Sequence, residues 1–279
     1  MPGAVLRDRG AARVVGAGAG AFLQNLLTND VVGLTQDEGR YAALLTPQGK
    51  IIADMLVTPA LTEIGAGFWL DLPRALVGEV VAALNRYKLR AKVTIDDVSE
   101  SVAVVALWET DKPQVVGEIF RDPRAPNLGW RVICVASEAD EIASRFGLAN
   151  AEAYDRWRIA QGAPRGGVDF AYGDAFPHEA SMDRFHGIDF HKGCYVGQEI
   201  VSRVEHRGTA RKRVTAVTIE GARPEAGARV MAGEVEIGAM GSSIDGRGLA
   251  LLRLDKARDA KAAGVDLTAG GVPIKVLEA

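Results

Sequence analysis

Lys192-Gly193-Cys194-Tyr195-Val196-Gly197-Gln198-Glu199 is the most informative stretch of the chain. It places a thiol between two glycines and behind a lysine. Gly193 and Gly197 let the backbone turn tightly or approach a ligand closely. Gln198 to Val204 reads as the start of a helix. A thiol ahead of a helix N-terminus and near a cation tends to be reactive. The alternative is a small, inert cysteine buried in a packed turn.

Upstream of this motif, residues 163–193 are rich in Gly, Pro, Asp, His and Phe and show no periodicity. An irregular run of that length inside a compact domain is often functional. Beyond Arg211 the pattern turns to β, with short apolar runs at 214–219, 228–231 and 249–252 between turn residues. They predict a small β-barrel or sandwich, so the chain divides into 1–208 and 209–279. Before the irregular run, strand patterns at 4–6, 12–15, 41–45, 51–57, 68–70, 93–95, 102–108 and 130–135 mix with helical spacing at 22–27, 74–88, 138–146 and 151–161. Thr46-Pro47-Gln48-Gly49-Lys50 predicts a hairpin turn. The fold class is therefore α+β.

Hydrophobic content of 48% and charged content of 25% are ordinary for a globular chain. A formal net charge of −3 gives no global pull toward nucleic acid or acidic membrane. No basic start with an apolar stretch marks a signal peptide, and no apolar run approaches membrane-spanning length. The two cysteines, Cys134 and Cys194, fit a reducing cytoplasm without a disulfide framework. Two thiols cannot supply the four cysteine ligands of a typical iron–sulfur cluster. Any cluster handling is therefore indirect or uses partner ligands. Cys134, in Val132-Ile133-Cys134-Val135-Ala136, reads as core. Trp157 and Tyr154, at helical spacing, also read as packing. His178, His186, His191 and Cys194 match no standard zinc spacing, so no metal is expected. Gly16, Gly18 and Gly20 lack the full spacing of a nucleotide fingerprint.

Lys-Gly-Cys-Tyr-x-Gly-Gln-Glu is the signature of the YgfZ family, with seven fixed positions. The chain resembles that family elsewhere too. The resemblance is carried by Phe22-Leu23-Gln24 with Leu27-Thr28-Asn29-Asp30-Val31, and by Leu44-Leu45-Thr46-Pro47-Gln48-Gly49-Lys50-Ile51 with Asp54-Met55. Tyr87-Lys88-Leu89-Arg90 and Arg203 with His206-Arg207-Gly208 add to it. It is weakest after about residue 225. It implies a folate-binding protein that helps iron–sulfur enzymes acquire or keep their clusters, with iron–sulfur client or assembly proteins as partners.

The family is similar in fold to the T-protein of the glycine cleavage system, a tetrahydrofolate-dependent aminomethyltransferase. That likeness implies interlocked α+β subdomains around a central cavity, plus a C-terminal β-barrel. Tetrahydrofolate or a derivative would lie in the cavity with Glu179, of Pro177-His178-Glu179, on the pterin. A carboxylate can accept from adjacent ring N–H and amino donors at once. The plainer alternative is a solvated loop glutamate. The resemblance adds Tyr87, Arg90 and Arg203 to the folate site. Cys194, assisted by Lys192, would face the cavity and relay a one-carbon unit, a sulfur species or an electron.

The T-protein carries a carboxylate just before a strand that lines up with 102–108. Here Ser101 stands at that position, and Asp96 and Asp97 are out of register. A serine cannot replace a carboxylate in proton transfer, which weighs against aminomethyl transfer. Arg203, Arg207, Arg211, Lys212 and Arg213 form a cationic stretch at the domain junction. It reads as solvated surface, with the anionic tail of folate as one functional alternative. Nucleic acid is disfavoured, since no aromatic residues interleave. A tetrahydrofolate-dependent transferase or demethylase, and a non-enzymatic folate-binding module, remain the competing readings.

Overall fold

The computed structural model describes residues 1–63, 65–208 and 210–277, apart from the side chain of Arg207. The chain opens with β1 (Gly3–Val5) and then leaves it to build a separate sheet. That sheet uses β2 (Arg9–Val15), β3 (Arg40–Leu45), β4 (Ile51–Thr62), β5 (Gly65–Pro73) and β6 (Thr94–Asp97) in the order β3-β4-β5-β2-β6. Helices α1 (Ala19–Gln24) and α2 (Val77–Lys88) are inserted along the way. The chain then returns to β1 with β7 (Val102–Leu107), β8 (Glu118–Arg121) and β9 (Trp130–Val135), giving the order β1-β7-β9-β8. The two subdomains are thus interlocked. Helices α3 (Ala139–Arg145) and α4 (Ala151–Ala160) follow.

Side-chain alternation explains the layering. Successive residues of a strand point to opposite faces. In β7, Val104 and Ala106 join Tyr41, Ala43, Leu45 and Leu56 in the core between the two sheets. Val105 and Leu107 point the other way, to Ile142 and Ala143 of α3. In β3, Ala42 and Leu44 likewise turn outward, toward Leu23 of α1 and Val80 and Leu84 of α2. Both sheets are therefore apolar on both faces and covered by helices, an α+β layered body.

Residues 161–197 contain no helix or strand, yet they supply Phe170, Ala175, Met182, Ile188 and Tyr195 to the core between the sheets. Helix α5 (Gln198–Arg207) follows. The C-terminal part is a closed barrel in the order β10-β13-β12-β11-β14-β15. Its strands are β10 (Lys212–Ile219), β11 (Arg229–Ala232), β12 (Val235–Ile244), β13 (Arg247–Arg253), β14 (Leu267–Ala269) and β15 (Val272–Val276), with α6 (Leu254–Ala262) between β13 and β14. Val217, Val230, Ile237, Leu252 and Ile274 fill its own core.

The sequence patterns missed β8, β12, β14, β15 and α6. Strand β8 buries only Phe120. Strand β12 carries Gly238, Gly241 and two serines, and its pairing with β13 is interrupted between Met240 and Ser243, which breaks the alternation. Gly16 has φ 130°, and a Cβ there would lie 2.4 Å from the Lys92 carbonyl oxygen. Close backbone contact therefore accounts for that glycine. No helix among the described residues is long and apolar enough to cross a membrane.

Candidate functional site

The motif turn is pinned from two sides. Gly197 precedes α5 with φ 83°, and a Cβ there would lie 2.7 Å from the Thr46 carbonyl oxygen and 3.1 Å from the Gly49 Cα. Gly49, with φ 78°, sits in the β3–β4 hairpin turn, and its own Cβ would meet Ile200 Cβ at 2.9 Å. The hairpin and the motif turn therefore stack glycine on glycine. On the other side, the Lys192 ammonium donates to the carbonyl oxygens of Gln24 at 2.7 Å, Leu27 at 2.7 Å and Asn29 at 2.9 Å. An ammonium has three donors, and all three are used. The acceptors lie at and just past the end of α1, where helix geometry leaves carbonyls unsatisfied.

Burial pushes the Lys192 ammonium down to about 8, against the pull of Asp30 and Asp189. The Asp189 carboxylate accepts the backbone N–H of His191 at 2.7 Å and of Lys192 at 3.1 Å, which orders the approach to the motif. Tyr195 is buried, its ring 5.3 Å from Lys192 Nζ. Between the two anchors, Cys194 is exposed and unbridged. The buried-turn alternative does not describe it. The hydrogens of Lys192 are committed to carbonyls at and just past the end of α1. Glu199 pairs with Arg203 at 2.6 Å on the exposed face of α5, and the Gln198 N–H donates to the Tyr195 carbonyl at 3.3 Å.

The other expected ligand residues lie on separate elements. Glu179 is half-buried; one of its carboxylate oxygens accepts the Phe176 N–H at 2.9 Å, and its carbonyl accepts the Val214 N–H at 2.8 Å. Tyr87 and Arg90 are exposed at the C-terminal end of α2, and Arg203 lies on α5. Ser101 is exposed, its hydroxyl donating to the Val98 carbonyl at 3.0 Å, while Asp96 pairs with Arg13 at 3.2 Å. His178 is buried against Glu205, Nε2 to Oε2 3.0 Å, and Arg213 grips Asp183 with two hydrogen bonds of 2.6 and 3.0 Å. His178, Asp183 and Glu205 bring potential metal-ligand atoms within 4.8 Å of one another. In the structure His178 Nε2 and Glu205 hold each other and Asp183 is held by Arg213, while His178 Nδ1 is buried without a hydrogen-bond partner. The expected role of Arg207 falls outside the described side chains.

At the centre of the body, where the two sheets meet α4, charged side chains interlock. Asp122 accepts from Arg124 (Nε 3.0 Å, Nη2 2.7 Å) and from Arg131 (Nη2 3.2 Å). Burial pushes the Asp122 carboxyl up, but Arg124 and Arg131 overcome it and hold the group well below the usual carboxylate range. Both arginines also donate to the Tyr154 hydroxyl. Asp71 takes Arg9 Nε at 2.6 Å, and Asp54 accepts from the hydroxyls of Tyr41, at 3.0 Å, and Tyr172. The space left among Arg9, Asp54, Arg124, Arg131, Tyr154 and Arg158 is about 40 Å³. The sequence carried a signal for this network: Arg131 is a charge inside the otherwise apolar run Trp130-Arg131-Val132-Ile133, and buried charges are almost always paired.

Residues 7–185 match the GCVT N-terminal domain and residues 211–278 the CAF17 C-terminal β-barrel domain. The iron–sulfur cluster assembly factor IBA57 homolog of Pyricularia oryzae, named as mitochondrial, is 30% identical over 300 residues, covering 98% of this chain and 75% of that one. The mitochondrial IBA57 of Mus musculus is 31% identical over 242 residues, covering 80% and 67%. The chain belongs to the IBA57 family. Against the homolog of Mycosarcoma maydis it is 33% identical over 218 residues, but it spans only 54% of that protein. The aminomethyltransferase T of the glycine cleavage system from Bartonella henselae superposes with TM-score 0.77 at 17% identity, over 99% of this chain and 84% of that one. That likeness establishes the fold of the IBA57 member described here. The family shown is IBA57, of which YgfZ is the bacterial counterpart. The mitochondrial names of the relatives overturn the cytoplasmic placement. Sparse cysteines report a reducing environment and not an address.

Proposed function

We propose that this chain takes part in iron–sulfur cluster assembly, as the names of its IBA57 relatives state for them. In this reading it offers the Cys194 thiol to a cluster whose remaining ligands come from a client or assembly protein. The observation that carries the reading is a single exposed thiol on a loop fixed at both ends, by Lys192 and by Gly197. Cys134 is unsuited to the task. It is buried in β9 with its thiol 3.8 Å from the Ala103 carbonyl oxygen, and burial pushes it up to about 11.

A typical cluster takes four thiolates, so one thiol from this chain leaves the other positions to a partner. The Cys194 proton is released as the sulfur–iron bond forms. The test is activity of iron–sulfur enzymes in cells lacking this chain. Wild type and Cys134→Ala should restore it, and Cys194→Ala should not at equal protein level. Full rescue by Cys194→Ala would overturn the role of the thiol. Tetrahydrofolate, which the family resemblance implies, supplies no step in this reading.

A further inference from the structure

We propose that the turn at the end of α2, residues 86–92, is a docking surface for an anionic lipid membrane. The first ground is charge. Arg86-Tyr87-Lys88-Leu89-Arg90-Ala91-Lys92 carries four cations, and no acidic residue stands between Glu79 and Asp96. None of the four pairs with a carboxylate among the described residues. Arg86 and Lys88 lie in the last turn of α2, where cations complement the carbonyl end of a helix. Arg90 and Lys92 lie beyond it, so the helix dipole does not account for them. The whole chain, at net charge −3, is not drawn to an anionic surface, and the attraction is local to this turn.

The second ground is Leu89. Its side chain is 90% exposed, and Tyr87 nearby is 37% exposed. The Leu89 backbone has φ 41° and ψ −104°. A bulky residue is strained there, whereas glycine adopts positive φ freely. The turn is held in shape by its own hydrogen bonds. The Ala91 N–H donates to the Lys88 carbonyl at 2.7 Å, the Val93 N–H to the Ala91 carbonyl at 3.0 Å and the Gly18 N–H to the Lys92 carbonyl at 3.4 Å. The fold therefore presents a leucine to water, on a strained backbone, among four cations. Backbone strain of this kind clusters at functional surfaces.

An anionic membrane satisfies both features at once. Lipid phosphates attract the cations, the acyl boundary takes the leucine, and a tyrosine suits the headgroup layer. Nucleic acid would meet the cations but offers no apolar place for Leu89. An acidic protein would need a pocket matched to that one side chain. The turn meets the N-terminal end of α1 through Gly18, whereas Lys192 is bolted to its C-terminal end at Gln24. The lipid-facing turn and the Cys194 loop are therefore separate surfaces.

The experiment is co-sedimentation of the full chain with vesicles of two parts phosphatidylcholine to one part phosphatidylglycerol, and with vesicles of phosphatidylcholine alone. Binding to the first and not the second is expected, weakening as salt rises. Arg86→Gln, Lys88→Gln, Arg90→Gln and Lys92→Gln should each weaken it about fivefold. Leu89→Gly should weaken it on the order of tenfold. That variant should melt no lower than wild type, because glycine relieves the strain. Arg211→Gln combined with Lys212→Gln, at the start of the barrel, should leave binding unchanged. No binding to the anionic vesicles, equal binding to both kinds, or binding indifferent to the turn variants would overturn the proposal. So would turn-dependent binding of polyuridylate RNA or of polyglutamate with no binding to vesicles, which would assign the turn to another anionic polymer. None of these readouts involves Cys194, so they are independent of its cellular test.

Discussion

Lys192 Nζ and the Gln24 carbonyl oxygen meet at 2.7 Å although 168 positions separate the two residues. With Leu27 and Asn29 they form a bolt that fixes the motif loop to the end of α1. Lys192→Met should strand these buried carbonyls and lower stability by about 2–4 kcal/mol, measured by urea denaturation. The pH dependence has a definite sign. Burial depresses Lys192 to about 8, below its unfolded value, so the unfolded chain binds the extra proton between these limits. The burial penalty is fully present below about 8 and is relieved as pH rises toward the unfolded value. Wild type should therefore gain stability relative to Lys192→Met over that window. A parallel pH profile for the two proteins would contradict this account.

The two motif glycines should respond differently to alanine. Gly197 is in the left-handed region with the Thr46 carbonyl 2.7 Å from a new Cβ, whereas nothing lies within 4 Å of one at Gly193. Gly197→Ala should lose about 1–3 kcal/mol and shift the α5 N-terminus. Gly193→Ala should change stability by less than about 0.5 kcal/mol. Thermal melts of both variants decide the matter.

Thiol chemistry should also divide the cysteines. In the native protein near neutral pH, iodoacetamide should add to Cys194 alone, because Cys134 is buried and pushed up to about 11. A second adduct should form only on denaturation, as read by intact mass. Two adducts on the folded chain would show that β9 opens more freely than its packing implies.

Asp122→Asn should be among the most damaging single changes, leaving Arg124 and Arg131 buried against a neutral partner. A loss of about 3–5 kcal/mol is expected. Because the folded Asp122 is held below its unfolded value, its contribution is complete above the unfolded value and is lost as pH falls through the folded one. Denaturation midpoints measured across the acid range should fall more steeply for wild type than for Asp122→Asn.

Local signals carried much of the architecture. The Pro-Gly turn between 41–45 and 51–57 marked the β3–β4 hairpin, and the apolar runs after 211 marked a β-rich C-terminal part. The motif singled out Cys194 and Lys192, but the partners of Lys192 lie on α1 and in the loop after it, where no local pattern points. The same holds for Asp122 with Arg131 and Arg9 with Asp71. Charge is visible in a sequence, whereas its burial depends on which distant strands enclose it. The meeting of Gly49 with Gly197 was carried by two separate motifs whose contact only the fold reveals.

The barrel is a ring, and β15 is the strand that seals it against β10. A chain leaving the ribosome N-terminus first makes β10 long before residues 272–276. At roughly 5–20 residues per second, several seconds pass with that flank of β10 bare. Bare strand edges invite pairing with other chains. Nascent copies crowded on one message are therefore exposed to mutual entanglement during that interval, and to little of it once the ring has shut.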